Sequence, residues 1–165
     1  MKILGIDTTT KFLSLGTYDS GRVCEYNIDL GRLHSSLLMV AVKRVIAALG
    51  WDISDIDYFA CGLGPGSFTG IRVGVAAIKG LGWSLKKPII GIPTLDILAK
   101  GVRNQSADIA PIIDAKRNLV YYSLYRQKNG ALKRLTPYLL LSEEELLKKI
   151  PANSLVLGDA AGLYK

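Results

Sequence analysis

Chemistry in this chain of 165 residues could reside first in the stretch Cys61 to Trp83, CGLGPGSFTGIRVGVAAIKGLGW. Gly62, Gly64 and Gly66 alternate there, Pro65 sits between the last two, and Ser67, Phe68 and Thr69 follow. A glycine-rich turn leading from a strand into a helix points free backbone N–H groups outward at a positive helix end, which is how proteins cradle phosphate. The turn is not a P-loop, because no Gly-Lys-Ser/Thr follows at the required spacing. Its glycine intervals are not those of a dinucleotide fingerprint either. Either this turn binds an anion or its glycines let other elements come close. Arg72, one turn into the following helix, fits both readings: it could reach an anion at the helix start or pair across a protein interface.

Other reactive residue types lack partners. His34 is the only histidine, and the position four residues on, where a second imidazole would share the helix face, is Leu38. Cys24 and Cys61 share no metal-ligand spacing and each lies in a strand-like run, so both are expected as buried free thiols. Ser67 stands in GPGSFTG, not in a nucleophile elbow, and with Thr69 is expected to cap a helix.

These residues are carried by a core-rich chain, 49% hydrophobic with mean hydropathy +0.25, which excludes a disordered protein. The N-terminus has no leader-like segment and no apolar run approaches the roughly 20 residues a membrane span needs, so a cytoplasmic protein is expected. Net charge is +7, but the basic residues come only in pairs, such as Lys43–Arg44 and Lys116–Arg117, with no aromatic ladder between them. That balance suits a soluble surface and is compatible with an RNA partner.

The elements follow from pattern. Lys2–Asp7, Phe12–Tyr18 and Arg22–Asp29 read as strands joined by short turns, the second and third by strict alternation. Ser35 or Ser36 can cap a helix over Leu37–Leu49, which carries only Lys43 and Arg44 as polar residues. A strand over Tyr58–Leu63, a helix over Gly70–Ser84, a strand over Pro88–Ile92 and a helix over Thr94–Val102, with Thr94 as its cap, complete a lobe of residues 1–104. Residues 105–165 open a second lobe, with strands over Asp108–Asp114, Leu119–Gln127 and Leu132–Leu141, a helix capped by Ser142 and a strand over Ser154–Leu157. This second half begins to repeat the first: each opens with an apolar strand ending in Asp (Asp7, Asp114) and a hairpin. The fold class is α/β, two lobes of mixed sheet with helices, the second incomplete.

On Ile6-Asp7-Thr8-Thr9, Arg32-Leu33-His34-Ser35, Gly64-Pro65-Gly66-Ser67-Phe68-Thr69-Gly70-Ile71-Arg72-Val73-Gly74 and Ile113-Asp114-Ala115-Lys116, the chain resembles the TsaB (YeaZ) family of the actin, sugar kinase and Hsp70 superfamily. The resemblance implies an actin-like, ribonuclease H-like fold. It implies a role in forming N6-threonylcarbamoyladenosine at position 37 of tRNAs that read codons beginning with A. In that family a non-catalytic scaffold pairs with the catalytic TsaD through its first two long helices and works with TsaE. A homodimer alone and tRNA contact only through the complex are the corresponding expectations. The catalytic relative holds a metal with a His-x-x-x-His pair, and here the second histidine is missing, so no metal is expected. Family members continue past Gly158-Asp159.

The resemblance sets Asp7, Thr8 and Thr9 where the superfamily's first phosphate loop lies, the carboxylate toward a metal–phosphate group. A polar hairpin turn is the alternative, and the lack of a convergent lysine or second carboxylate favours it. With Gly64, Gly66, Ser67 and Thr69 these residues form the candidate site for weak ATP or ADP binding, completed only in the complex. An ATP-dependent small-molecule kinase or a metallopeptidase-like enzyme is the alternative function. The stronger inference concerns the two charge-poor helices. Each needs one face for the sheet, yet apolar residues run nearly all round, so the other face is expected at a dimer interface. The expected contacts are His34, Leu38, Val42 and Val45 of the first helix and Gly70, Arg72, Val73, Gly74, Ala77, Ile78 and Leu81 of the second, Gly70 and Gly74 admitting a partner backbone.

Overall fold

The computed structural model describes residues 1–29, 34–102 and 106–162, the side chains of His34 and Ser35 excepted. The chain forms two compact units, Met1–Ile92 and Pro93–Lys165. The first unit holds one five-stranded sheet: β1 (Lys2–Asp7), β2 (Phe12–Asp19), β3 (Arg22–Asp29), β4 (Tyr58–Gly62) and β5 (Ile89–Ile92), in the order β3-β2-β1-β4-β5. β1, β2 and β3 form the expected antiparallel meander, while β4 and β5 run parallel to β1.

Register decides which side chains meet. Leu4 pairs with Phe59 and Ile6 with Cys61 across the parallel ladder, and Ile6 pairs with Leu15 across the antiparallel one. Side chains of paired residues share a sheet face. Two helices cover that face, α1 (His34–Ala48) and α2 (Phe68–Leu85). Leu38, Val42, Val45 and Ile46 of α1 and Ile78 of α2 join Leu4, Ile6, Leu13, Leu15, Ile56 and Phe59 in one core. α1 begins at His34, so Ser36 lies inside the helix and is not its cap; the Ser35 side chain lies outside the described residues. Cys24 departs from expectation. It sits on the edge strand β3, where no neighbour covers it, and is exposed, whereas Cys61 in the central β4 is buried.

The second unit contains α3 (Thr94–Gly101), β6 (Ile109–Lys116), β7 (Leu119–Tyr122), β8 (Tyr125–Lys128), β9 (Ala131–Arg134), β10 (Leu139–Ser142), α4 (Glu143–Lys149) and β11 (Leu155–Leu157). Leu95 and Ala99 of α3 pack with Ile109, Ile113 and Tyr125. That packing takes α3 into the second unit and brings the division forward from 104 to Ile92–Pro93. Thr94 is not the cap of α3. Pro93 occupies that position without a side-chain hydrogen bond, and Thr94 is the first helical residue, buried. The repeat holds as far as β11: β6 and β7 form an antiparallel pair as β1 and β2 do, and β11 returns parallel to β6 as β4 does to β1.

Two expected long strands are each divided. Ile112 faces Tyr122 and Ile109 faces Tyr125, so β7 and β8 keep one register along β6. The gap between them, Ser123–Leu124, falls opposite Ala110–Pro111, where proline has no N–H to give the ladder. On the outer side Tyr122 faces Leu139 and Tyr125 faces Arg134, so two residues oppose the four of Leu135–Tyr138, a bulge. Thr136 holds it: its Oγ1 accepts from the Leu124 N–H at 2.9 Å, and its carbonyl accepts from the Ser123 hydroxyl at 3.0 Å.

Candidate functional site

The glycine turn and the β1–β2 turn form one packed structure. The Ser67 N–H donates to the Thr9 carbonyl at 2.6 Å, and the Thr8 hydroxyl donates to the Gly70 carbonyl at 2.7 Å. Ser67 caps α2, its Oγ accepting from the Gly70 N–H at 3.2 Å. Thr69 does not cap; it lies within the first turn, exposed. Thr8 and Thr9 are almost fully buried as a result. The glycines are what permits this approach. A Cβ on Gly70 would stand 1.9 Å from the Thr8 carbonyl oxygen, one on Gly66 2.2 Å from that of Thr9, and one on Gly74 2.4 Å from Thr8 Oγ1. Two of the N–H groups at this helix start, those of Ser67 and of Gly70, are thus taken by the chain itself.

Asp7 is treated the same way. Its Oδ1 accepts from the Thr9 N–H at 2.7 Å, and its carboxylate lies over Gly62, where a Cβ would meet it at 2.8 Å. Burial, and secondarily the Asp7 charge, push the Cys61 thiol above its usual range. Asp114, at the corresponding strand end of the second unit, repeats the turn: its Oδ1 accepts from the Lys116 N–H at 2.7 Å. The Lys116 ammonium closes on the other oxygen and, with the backbone bond, holds the Asp114 carboxyl below the usual carboxylate range. Among the described residues no three His, Cys, Asp or Glu side chains converge as a metal site.

The expected interface residues divide. Leu38, Val42, Val45 and Ile78 lie in the core of the first unit, and Gly70 and Gly74 are buried against Thr8. They face inward because the apolar spacing that reads as a contact stripe is the stripe lying on the sheet. Val73, Ala77 and Leu81 are half-buried beside that core. Arg72 is exposed, its guanidinium 5.3 Å over the Phe68 ring. The side chain of His34 lies outside the described residues.

The outer face of the helix pair is made by residues that were not singled out. On α2 these are Phe68, Ala76, Lys79 and Trp83, the two aromatics 74% and 86% exposed. On α1 they are Leu37, Met39 and Val40, with Lys43 and Arg44 beside them. Their signal is in the sequence. Phe68, Arg72, Ala76, Lys79 and Trp83 recur at steps of three and four, one helix face opposite the Gly70–Gly74–Ile78 face. A groove of about 450 Å³ opens beside α1, lined by Met39, Val42, Ile46, Trp51 and Leu81 among others. In the second unit Asp96 gathers a polar cluster, accepting from Tyr125 at 2.5 Å and Tyr138 at 2.9 Å, with Arg134 at 3.9 Å.

Comparison with known proteins gives a consistent result. The family model of TsaD, tRNA N6-adenosine threonylcarbamoyltransferase, matches residues 29–158. The chain is 36% identical to the tRNA threonylcarbamoyladenosine biosynthesis protein TsaB of Bacillus subtilis strain 168, over all of this chain and 74% of that protein. It is 35% identical to TsaB of Escherichia coli K12, over 79% of this chain and 58% of that protein. Among solved structures, YeaZ from Pseudomonas aeruginosa superposes with a TM-score of 0.85 at 28% identity, covering 94% of this chain and 75% of that one. A Pseudomonas aeruginosa protein described as similar to the peptidase YEAZ superposes with a TM-score of 0.83 at 30% identity, covering 97% and 71%. The two-unit α/β architecture is therefore the actin-like fold expected.

Proposed function

This chain belongs to the TsaB family of tRNA threonylcarbamoyladenosine biosynthesis proteins, and from that membership we propose that it is a non-catalytic partner subunit of the modifying complex. In this reading it pairs with TsaD, which carries the catalysis, and works with TsaE in the cytoplasm. The product is N6-threonylcarbamoyladenosine at position 37 of tRNAs reading codons that begin with A. The chain meets tRNA through the complex and pairs with itself when alone. No helix among the described residues is long and apolar enough to cross a membrane.

The observation that carries this proposal is the outer face of α1 and α2, where Leu37, Met39, Val40, Phe68 and Trp83 stand exposed on helices whose other face already fills the core. Exposed aromatic and aliphatic anchors on a rigid helix pair are the usual makings of an interface. A partner-subunit role also agrees with the state of the phosphate-loop residues Asp7, Thr8, Thr9, Gly64, Gly66, Ser67 and Thr69. Asp7, Thr8, Thr9 and Ser67 bond chiefly to one another and to Gly70. ATP or ADP binding is accordingly proposed as a property of the assembled complex, not of the isolated chain.

The test is a size measurement by light scattering, with and without TsaD. Val40→Asp, on the outer face, is expected to abolish the complex, whereas Lys133→Glu, an exposed residue of β9, leaves it intact. Survival of the complex in a natively folded Val40→Asp chain removes the interface from the proposal. Gly74→Arg is unsuited to this purpose, because its side chain would strike Thr8 inside the first unit.

A further inference from the structure

The second unit gathers cations at one end of its sheet. β8 and β9 form a hairpin in which Arg126 is paired with Lys133, Gln127 with Leu132 and Lys128 with Ala131. Tyr125 and Leu132 pack with the core under α3, so Arg126, Lys128 and Lys133 stand on the opposite face, the one that α4 covers through Leu146. All three are exposed. α4 finishes at the same end with the exposed Lys148 and Lys149. There the Tyr122 hydroxyl donates to the Lys149 carbonyl at 3.4 Å, and the chain returns past Asp108, whose carbonyl accepts from the Leu155 N–H at 2.7 Å. The Asp108 carboxylate is taken by Arg126, whose Nε and Nη2 donate to it at 2.6 Å and 2.8 Å. The acids of α4, Glu143, Glu144 and Glu145, lie in its first turn, and Glu145 accepts from the Ser142 N–H at 2.9 Å. Among the described residues, Lys128, Lys133, Lys148 and Lys149 join no salt bridge.

Like charges placed directly opposite each other on paired strands are destabilising, so the Arg126–Lys133 pair costs the hairpin stability unless an anion lies across it. The chemistry of the face says which anion fits. Protein interfaces are anchored by aromatic and aliphatic side chains and are depleted in lysine. On this hairpin face the residue among the cations is Ala131, and no large apolar side chain interrupts them. A phosphate backbone needs no such anchor: it is held by Lys and Arg, and Arg126 has used only two of its five donors on Asp108. Resting on the partner-subunit reading above, in a family whose work is on tRNA, we propose that this end of the second unit touches the phosphate backbone of the tRNA. Lys128 and Lys133 make the contacts, and Arg126, Lys148 and Lys149 add attraction. Contacts of this kind position an RNA without reading its sequence, which suits a subunit that leaves the base to its partner. So few phosphate contacts hold tRNA weakly when the chain is alone, and count once the complex has bound it.

The experiment titrates labelled, unmodified tRNA by fluorescence anisotropy with the full chain, alone and with TsaD, at NaCl from about 50 mM to about 300 mM. The double variant Lys128→Gln/Lys133→Gln is compared with Lys86→Gln/Lys87→Gln, which removes the same charge from the first unit, and light scattering on the same samples reads pairing with TsaD. Lys128→Gln/Lys133→Gln is expected to pair with TsaD as wild type does. Its complex is expected to bind tRNA roughly ten-fold more weakly at low salt, and the slope of log K against log[NaCl] to fall by about two, one for each phosphate contact removed. Lys86→Gln/Lys87→Gln is expected to change neither. A Lys128→Gln/Lys133→Gln complex with wild-type tRNA affinity and slope overturns the inference and leaves the partner reading standing. Equal losses in the two double variants reduce the effect to net charge and overturn it too. Unchanged tRNA binding with lost binding of TsaE gives the face to an acidic protein and overturns the RNA assignment. A wild-type chain that fails to pair with TsaD overturns the partner reading; the titration of the chain alone, where the same fall in slope is expected, then decides the inference by itself.

Discussion

Three glycines of α2 make the packing of the β1–β2 turn against the helix testable. Gly70→Ala places a methyl group 1.9 Å from a backbone oxygen, that of Thr8, so the turn and helix must separate. Overpacking of this kind costs about 1–3 kcal/mol. Separation also strains the Thr8 hydroxyl bond to the Gly70 carbonyl and the Ser67 bond to the Thr9 carbonyl, each worth about 1 kcal/mol. The gain from alanine in a helix returns at most about 1 kcal/mol. The net loss expected is about 2–4 kcal/mol. At Gly74 the obstacle is a side-chain atom, Thr8 Oγ1 at 2.4 Å, so Gly74→Ala costs about 1 kcal/mol in the wild type. In a Thr8→Ala background the obstacle is gone and the same change becomes neutral or stabilising, while Gly70→Ala stays costly. Gly80, with nothing within 4 Å of a built Cβ, is the control: Gly80→Ala should stabilise by about 0.5–1 kcal/mol. Urea unfolding followed by tryptophan fluorescence reads the first unit, which holds both tryptophans, Trp51 and Trp83. If Gly70→Ala proves as stable as wild type, or if Thr8→Ala rescues Gly70 and Gly74 alike, the proposed packing of turn on helix is wrong.

Two further outcomes concern the second unit. Thr136→Val leaves the Leu124 N–H, in a nearly buried residue, without its acceptor, and should lower stability by about 2 kcal/mol in urea melts read by far-UV circular dichroism, with Thr136→Ser recovering most of the loss. Burial, and then the hydrogen bond to Asp96, raise the Tyr125 phenol well above its ordinary 10.0. A group whose folded pKa is raised contributes stability that is complete below its unfolded pKa and is lost as pH rises past it. Stability should therefore decline above about pH 10, and Tyr125→Phe should flatten that decline in urea melts repeated across the alkaline range.

The alternation of β1, β2 and β3, the apolar character of α1 and α2, and the repeat of the Asp7 strand at Asp114 were all legible from the chain alone, because each is a local pattern. What fills the glycine turn was not, since Thr8 lies 62 residues from Gly70 and no local spacing links them. Leu38, Val42, Val45 and Ile78, expected at an interface, lie in the core for a related reason. On a helix that is apolar all round, Leu38–Val42–Val45 and Leu37–Val40–Arg44 have the same periodicity, and only the sheet beneath decides which faces out. The break at Ser123 is caused by Pro111 on the neighbouring strand, so it leaves no mark where it occurs. Cys24 alternates as an inward residue should, but it lies on the edge strand at a point the core, which reaches Tyr26 on the same face, does not cover.

At high protein concentration the vulnerable line of this molecule is the outer edge of β3. Among the described residues no further strand lies beyond it, and Val23 is 64% exposed, the arrangement through which sheets of separate molecules join. Arg22, Glu25 and Asp29 are spaced along that edge, and Lys11 reaches Asp29 at 2.9 Å, so an approaching strand must bury charge to add itself. These four residues act as gatekeepers against aggregation. Neutralising them, rather than disturbing the core, is the short route to precipitation.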